Sequence, residues 1–166
     1  MKTDLKSDFP SVSFFSDVDW SALAQEYAPA SQIMSFPEYL EIKAEEGDCP
    51  PYIFELAYFD ETLSSLQGEE FLFPDSPGVH LNPSARFLSF DFDILTMVSA
   101  AHEGKVEVVE KKNVLSIYVD AEGEIRFHEL TGPELDTLQA LEAGVTPSDP
   151  ESLSGLVESG LLISVS

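Results

Sequence analysis

The last third of the chain alternates apolar and polar residues with a period of two, the pattern of strands that bury one face. Leu115, Ile117 and Val119 alternate with Ser and Tyr, and residues 125–127 resume the alternation after an Ala-Glu-Gly turn. A shorter alternation covers residues 106–108. The pattern predicts three short antiparallel strands, of which the last two form a hairpin.

Two helices are predicted after the hairpin, each introduced by a helix-start signal. Thr131-Gly-Pro-Glu134 and Ser148-Asp-Pro-Glu151 have the spacing of capping boxes with an early proline. A glycine is the expected C-terminal signal of each helix. Because two short helices cannot bury their apolar stripes alone, we expect them to pack on the hairpin. Residues 105–166 are therefore predicted to form a winged-helix-like module around a three-stranded antiparallel sheet.

The first 104 residues show the three- and four-residue spacing of amphipathic helices. Residues 1–18 are expected to be an extended arm, and the proline-containing stretch 69–90 an irregular or edge segment. The fold class predicted is α+β, with a helical region at 1–104 before the module. The helices are predicted over 19–28, 35–47, 52–67 and 91–103.

Charge narrows the classes of partner. Eight Lys and Arg face 31 Asp and Glu, a formal charge of −23, while a hydrophobic content of 43% is enough for a packed core. Nucleic-acid binding depends on Lys and Arg that displace counterions, so this balance argues against it. Long-range electrostatics favour a basic partner. An equally open interpretation is that the acidity serves solubility or a salt-tolerant organism.

Residues for catalysis are sparse. His80, His102 and His128 are scattered, and no metal-binding or nucleophile motif is present. His128 is expected to be a plain surface residue. Cys49, the single cysteine, has no nearby cation to activate it and fits a reducing compartment. The first twelve residues show no apolar segment of the kind expected in a signal peptide, and no apolar run approaches membrane-spanning length. These features indicate a cytoplasmic protein without catalytic residues of its own.

A winged-helix-like module has two common uses. Reading DNA requires basic residues on the recognition helix, but residues 131–166 contain six acids and no Lys or Arg. The second use is to accept an extended peptide as an added strand at the sheet edge, beside a helix. An acidic helix next to an open edge suits a basic peptide. A stabilising cap without a ligand explains the same residues equally well.

Several segments together resemble one protein family. These are Phe-Pro-Glu-Tyr-Leu at 36–40, the helix ending Glu-Leu-Ala-Tyr-Phe-Asp-Glu-Thr-Leu-Ser-Ser-Leu at 55–66, Leu-Asn-Pro-Ser-Ala-Arg-Phe-Leu at 81–88, and the closing hairpin and helices. The family comprises the partner proteins of TIM-barrel multinuclear iron enzymes that modify ribosomally made peptides, as in the methanobactin and thiaglutamate pathways. The resemblance covers residues 35–163. The first 34 residues show no match.

The resemblance implies a non-catalytic subunit of a heterodimer. Its N-terminal helices would pack on the barrel enzyme, which would hold the iron, so no cofactor is expected in this chain. Its C-terminal module would resemble a peptide-recognition element that binds the leader of a precursor peptide. The partner oxidase would convert cysteine, as in oxazolone and thioamide formation. Methanobactin-type leaders are basic, which makes that branch the first choice.

The resemblance also implies where the sites lie. A leader peptide would add a strand beside the last strand of the hairpin, against the final helix. The expected interface with the enzyme includes the Asn-Pro-Ser-Ala-Arg run, in which Arg86 is either an anchor or a partner of Asp91 or Asp93. The expected peptide-binding residues are Glu124, Ile125, Arg126, Phe127, His128, Glu129, Leu130, Leu153, Leu156 and Val157. The expected enzyme-interface residues are Asn82, Pro83, Ser84, Arg86, Tyr58 and Phe59. The alternative function is a stand-alone acidic adaptor or regulatory protein that binds a basic protein target.

Overall fold

The computed structural model describes residues 4–15 and 19–166 and has an α+β fold, as predicted. In the described residues, eight helices and five strands follow one another. They are α1 Leu5–Asp8, α2 Pro10–Phe15, α3 Trp20–Tyr27, α4 Phe36–Glu45, α5 Pro51–Leu66, β1 Gly78–Leu81, β2 Arg86–Phe92, α6 Ile94–His102, β3 Glu110–Val119, β4 Ile125–Glu129, α7 Gly132–Glu142, α8 Pro150–Ser159 and β5 Leu162–Val165.

The strands form two sheets. Three are arranged in the order β2-β3-β4, and β1 pairs with β5 in a separate two-stranded sheet. The predicted hairpin is present as β3 and β4, with Leu115 opposite Glu129 and Val119 opposite Ile125. The third predicted strand is wrong: residues 106–108 are not a strand, and Val106 is 62% exposed. Its place in the sheet is taken by β2, since each side of β3 can hold only one neighbour.

The chain divides into two compact units. Unit 1 consists of residues 1–65 and 90–112, and unit 2 of residues 66–89 and 113–166. These bounds differ from the predicted division after residue 104, because residues 66–89, with β1 and the first part of β2, belong to the same unit as the C-terminal elements. The predicted domain pair and the winged-helix likeness of the second domain remain predictions.

Unit 1 buries apolar residues from α1, α2, α4, α5 and α6, including Val12, Leu56 and Met97. The described part of the N-terminal segment is two short helices with Leu5, Phe9 and Val12 buried, so the expectation of an extended arm is wrong there. Residues 1–3 and 16–18 of that segment lie outside the described residues. The sixth helix begins at Ile94 and not at 91, because the Asp93 side chain caps it and Phe92 belongs to β2.

Unit 2 is built around Tyr118, Leu130, Leu156, Leu161 and Leu162. The capping box predicted at Thr131 is present, with Glu134 bonding back to the Thr131 backbone. The other predicted cap is displaced by one residue. Asp149, not Ser148, accepts the N–H groups of Glu151 and Ser152, since Pro150 begins α8.

Candidate functional site

The hairpin strand β4 lies at one end of the three-stranded sheet, with β3 on one side. Asp120 N–H donates to the Glu124 carbonyl and Leu130 N–H to the Val114 carbonyl, both at 2.9 Å. Because hydrogen-bonded pairs alternate along an antiparallel ladder, the backbone N–H and C=O of Ile125 point away from β3. The expected peptide strand would lie on that side.

The turn before β4 is held by one carboxylate. Asp120 accepts hydrogen bonds from the backbone N–H groups of Glu122 and Glu124 and from Nε of Arg126. The Arg126 bond is the largest cause of a lowered pKa for Asp120, followed by the backbone bonds. Arg126 is thus an ion-pair partner within the hairpin.

His128 is more than a plain surface residue, so that expectation is corrected. Its Nε2 lies 2.6 Å from Oε2 of Glu134, the residue that completes the capping box of α7. Burial tends to raise the pKa of Glu134, but hydrogen bonds from Thr131 and His128 outweigh it and the pKa is lowered. His128 therefore connects β4 to the first turn of α7.

The other expected peptide-binding residues differ in accessibility. Glu124 and Glu129 are exposed, and Phe127 is 41% exposed although the alternation placed it on a buried face. Leu130 and Leu156 belong to the core of unit 2, and Leu153 and Val157 pack against it. The apolar face of α8 is thus used by the chain itself, and its contact with a peptide remains a prediction.

The Asn-Pro-Ser run is a buried polar cluster. Asn82 is 1% exposed, and its Nδ2 donates to the carbonyls of Val119, at 2.8 Å, and Gly160, at 3.0 Å. Its Oδ1 accepts from the N–H and Oγ of Ser84, and Ser84 Oγ accepts from Val119 N–H at 2.7 Å. These bonds join the β1–β2 turn to the end of β3 and the end of α8. Pro83 is exposed beside them.

Arg86 pairs with an acid other than those expected. Its Nη2 lies 3.8 Å from Glu69 Oε2, and its guanidinium lies over the Phe71 ring at 5.9 Å. Its Nη1 donates to the carbonyls of Ser84 and Ala85. Asp93, one of the two expected partners, lies 3.8 Å from Lys111 Nζ. Arg86 thus ties the 69–71 segment to β2.

Tyr58 and Phe59 are neighbours on α5 with different surroundings. Phe59 is 3% exposed in the core of unit 1, so it could affect an enzyme interface only indirectly. Tyr58 is half-buried and donates to Glu41 Oε2 at 2.9 Å. Burial, with the Glu41 bond, raises its pKa. Their interface role remains a prediction.

Cys49 has the environment of an unreactive thiol. Burial and the neighbouring Asp48 raise its pKa, and its Sγ lies 3.5 Å from the Leu40 carbonyl. In residues 4–15 and 19–166, no group of three or more His, Cys, Asp or Glu side chains is arranged to hold a metal ion.

An apolar groove in unit 2 was not predicted. It has a volume of about 750 Å³ and lies between α7 and the β1–β5 sheet, with Leu81, Phe87 and Leu138 in its lining. The leucine stripe of α7 was visible in the sequence, but the facing strand β1 was not, because its pairing with β5 joins residues far apart in the chain.

No helix among the described residues has both the length and the apolar character needed to cross a bilayer. The chain matches no protein-family model, and a search of curated proteins finds no match.

Proposed function

We propose that this chain is a non-catalytic partner subunit that binds the basic leader of a ribosomally made precursor peptide. It would support an iron-dependent oxidase that modifies cysteine, in the reducing environment of the cytoplasm. The iron belongs to the partner enzyme in this proposal. The observation that carries the proposal is a terminal sheet strand, β4, in a unit whose charge is strongly negative.

The charge of unit 2 favours a cationic ligand. Residues 66–89 and 113–166 contain thirteen Asp and Glu against two Arg and no Lys, a formal charge of −11 without the C-terminal carboxylate. Both arginines form ion pairs inside the unit, Arg86 with Glu69 and Arg126 with Asp120. A basic peptide would therefore meet a negative surface without competing cations, which raises the association rate at low salt.

Strand addition is the binding mode that suits β4. An extended peptide placed beside a terminal strand gains main-chain hydrogen bonds, and its side chains supply specificity. The Ile125 backbone groups point to that side, and Ile125 is the first residue of β4, where proline is tolerated in a strand. The Ile125→Pro variant would therefore remove an outward N–H while keeping the β3–β4 ladder.

Fluorescence anisotropy with a labelled peptide of alternating lysine and threonine tests this site. We expect Ile125→Pro to weaken binding about tenfold, the effect of losing one or two well-made hydrogen bonds. Ile125→Val, which keeps the N–H, is the matched control and should bind like the native chain. Equal affinity of all three proteins would move the peptide away from β4.

The enzyme partnership is tested separately by co-expression with a TIM-barrel iron enzyme of the proposed kind, should one be encoded near this chain's gene. A stable heterodimer with iron bound to the barrel subunit is the expected result. Separate elution of the two proteins would instead support the acidic adaptor, which needs no enzyme partner.

A further inference from the structure

The apolar groove of unit 2 has two apolar walls and a volume large enough for a ligand. Leu135, Leu138 and Leu141 of α7 form one wall, and Val79 and Leu81 of β1 face them. Its volume of about 750 Å³ lies within the range of about 300–1,000 Å³ that is typical of ligand sites.

Exposed apolar side chains are concentrated there. Of the twelve large hydrophobic side chains that are exposed in the described residues, four line this groove: Leu72, Val79, Leu81 and Phe87. A contiguous apolar surface of this kind marks an interaction site more often than single exposed residues do. The chain has 31 Asp and Glu residues, which favour solubility, and the exposed apolar surface of the groove does not serve that purpose.

The floor of the groove includes a strand with an open side. In the described residues, β1 has one strand neighbour, β5. Asn82 N–H donates to the Leu161 carbonyl at 2.9 Å, which sets the alternation of the β1–β5 ladder. The backbone groups of Val79 and Leu81 therefore point away from β5. Their side chains line the groove, so an added strand would place alternate side chains in it.

The charges around the groove favour a positively charged ligand. Its lining contains Glu142 and no Lys or Arg, and the two arginines of unit 2 are held in ion pairs. An anionic peptide would be repelled by this unit, and a cationic one attracted.

We propose that the groove is a second docking site for the basic precursor peptide, which lies extended along β1 with alternate apolar side chains between β1 and α7. The Lys and Arg side chains of the peptide point to the opposite face of the added strand and are attracted by the negative charge of unit 2. The identity of the peptide rests on the proposed function, but the site does not depend on binding at β4.

Two labelled peptides separate apolar docking from charge attraction. One alternates lysine and leucine, and the other, of equal charge, alternates lysine and glutamine. We expect the native chain to bind the leucine peptide at least about tenfold more tightly, since leucine burial contributes favourably and glutamine burial does not. Equal affinities would overturn the proposal.

A matched pair of variants locates the site. Leu81→Gln replaces a groove residue that is 47% exposed, and Val145→Gln replaces a residue outside the groove that is 59% exposed. Leu81→Gln should weaken binding of the leucine peptide about tenfold and leave the glutamine peptide unchanged. Val145→Gln should change neither. An effect of Val145→Gln equal to that of Leu81→Gln would contradict the site.

Circular dichroism melts establish that each variant is folded, and Val79→Gln replaces Leu81→Gln if the latter is not. The two proposed binding sites, at β4 and in the groove, can be tested independently of each other. If Ile125→Pro weakens binding of the lysine–threonine peptide while the groove variant binds the leucine peptide as tightly as the native chain, the groove proposal is wrong and the β4 site is supported. If instead the groove variant weakens binding of the leucine peptide and Ile125→Pro binds the lysine–threonine peptide normally, the groove proposal is supported and the β4 site is wrong.

Discussion

Asp60 and Ser11 are 49 residues apart in the chain, yet both carboxylate oxygens of Asp60 accept hydrogen bonds from Ser11, from its N–H at 2.9 Å and its Oγ at 2.6 Å. The carboxylate thereby serves the first turn of α2, where N–H groups have no partner within the helix. Asp60 is 3% exposed. Burial raises its pKa from 3.8 to about 6, although the bonds from Ser11 and Val12 oppose the rise.

The raised pKa has a definite consequence for stability. Between pH 3.8 and about 6 the folded chain keeps a proton on Asp60 that the unfolded chain has lost. The free energy of unfolding therefore falls as the pH rises through this window and does not recover above it. The shift of about two pKa units corresponds to a loss on the order of 3 kcal/mol.

Replacing Asp60→Asn should remove this pH dependence, since the amide does not ionise. We expect urea unfolding to show a native chain that loses up to about 3 kcal/mol between pH 4 and pH 7 relative to the variant. Asp75→Asn, which removes an exposed carboxylate, is the charge-matched control and should follow the native curve. Parallel curves for native chain and Asp60→Asn would contradict the assignment.

Buried hydrogen bonds between residues far apart in the chain, such as that of Asp60 with Ser11, cannot be predicted from local sequence preferences. Asn82-Pro83 predicts a turn, because proline restricts the residue before it. The same letters do not reveal that Asn82 bonds to Val119 and Gly160, which are far away in the chain. Local preference depends on neighbouring residues, whereas the partners of a buried amide are known only once distant segments are packed.

Helix α8 contains two glycines, one at its C-terminal end and one in its interior. Gly160, predicted to end the helix, is its C-cap with φ of 86°, the left-handed conformation that glycine adopts without a Cβ penalty. Gly155 lies inside the same helix, and a Cβ added there would meet nothing within 4 Å. The two glycines, five positions apart, therefore differ in their contribution to stability: Gly160 allows the left-handed C-cap, whereas Gly155 has no such conformational role.

Substituting alanine at both positions should shift stability in opposite directions. Gly160→Ala should lower the free energy of unfolding by about 1 kcal/mol or more, because a side chain is strained at this φ. Gly155→Ala should raise it by about 0.5–1 kcal/mol through higher helix propensity. Chemical denaturation of both variants against the native chain gives the comparison. A destabilising Gly155→Ala would mean that its helix position is crowded.

The strands divide into those that a local pattern reveals and those that it does not. The β3–β4 hairpin follows from alternation and a glycine turn, and both strands are present. Residues 106–108 alternate as well but form no strand, since a strand needs a neighbour and β3 pairs instead with β2. The alternation of Leu88, Phe90 and Phe92 with Ser and Asp was the available signal for β2.

The charge of the whole molecule bears on stability as well as binding. A formal charge of −23 favours expanded states through self-repulsion, while the many acids also keep the chain soluble. Added salt screens this repulsion, whose range shrinks from about 20 Å at low salt to about 4 Å at 0.5 M.

Raising NaCl from about 20 mM to about 500 mM at pH 7 should therefore increase the melting temperature by about 3–6 °C. The control is the same titration at a pH near the isoelectric point of about 4.1, where net repulsion is absent and the increase should be much smaller. Scanning calorimetry measures both. An equal increase at the two pH values would assign the effect to general salting-out.

By itself, the sequence determined the α+β class, most of the described helices, the capping box at Thr131, the central hairpin and the acidic balance, because each depends on neighbouring residues or on composition. Tertiary structure alone decided that β1 pairs with β5 and that β2 completes the three-stranded sheet. It also created the groove, by setting α7 opposite a strand more than fifty residues earlier in the chain. Strand pairing and burial are non-local, since backbone hydrogen bonds and apolar contacts join whichever segments folding brings together, and no local pattern specifies which ones.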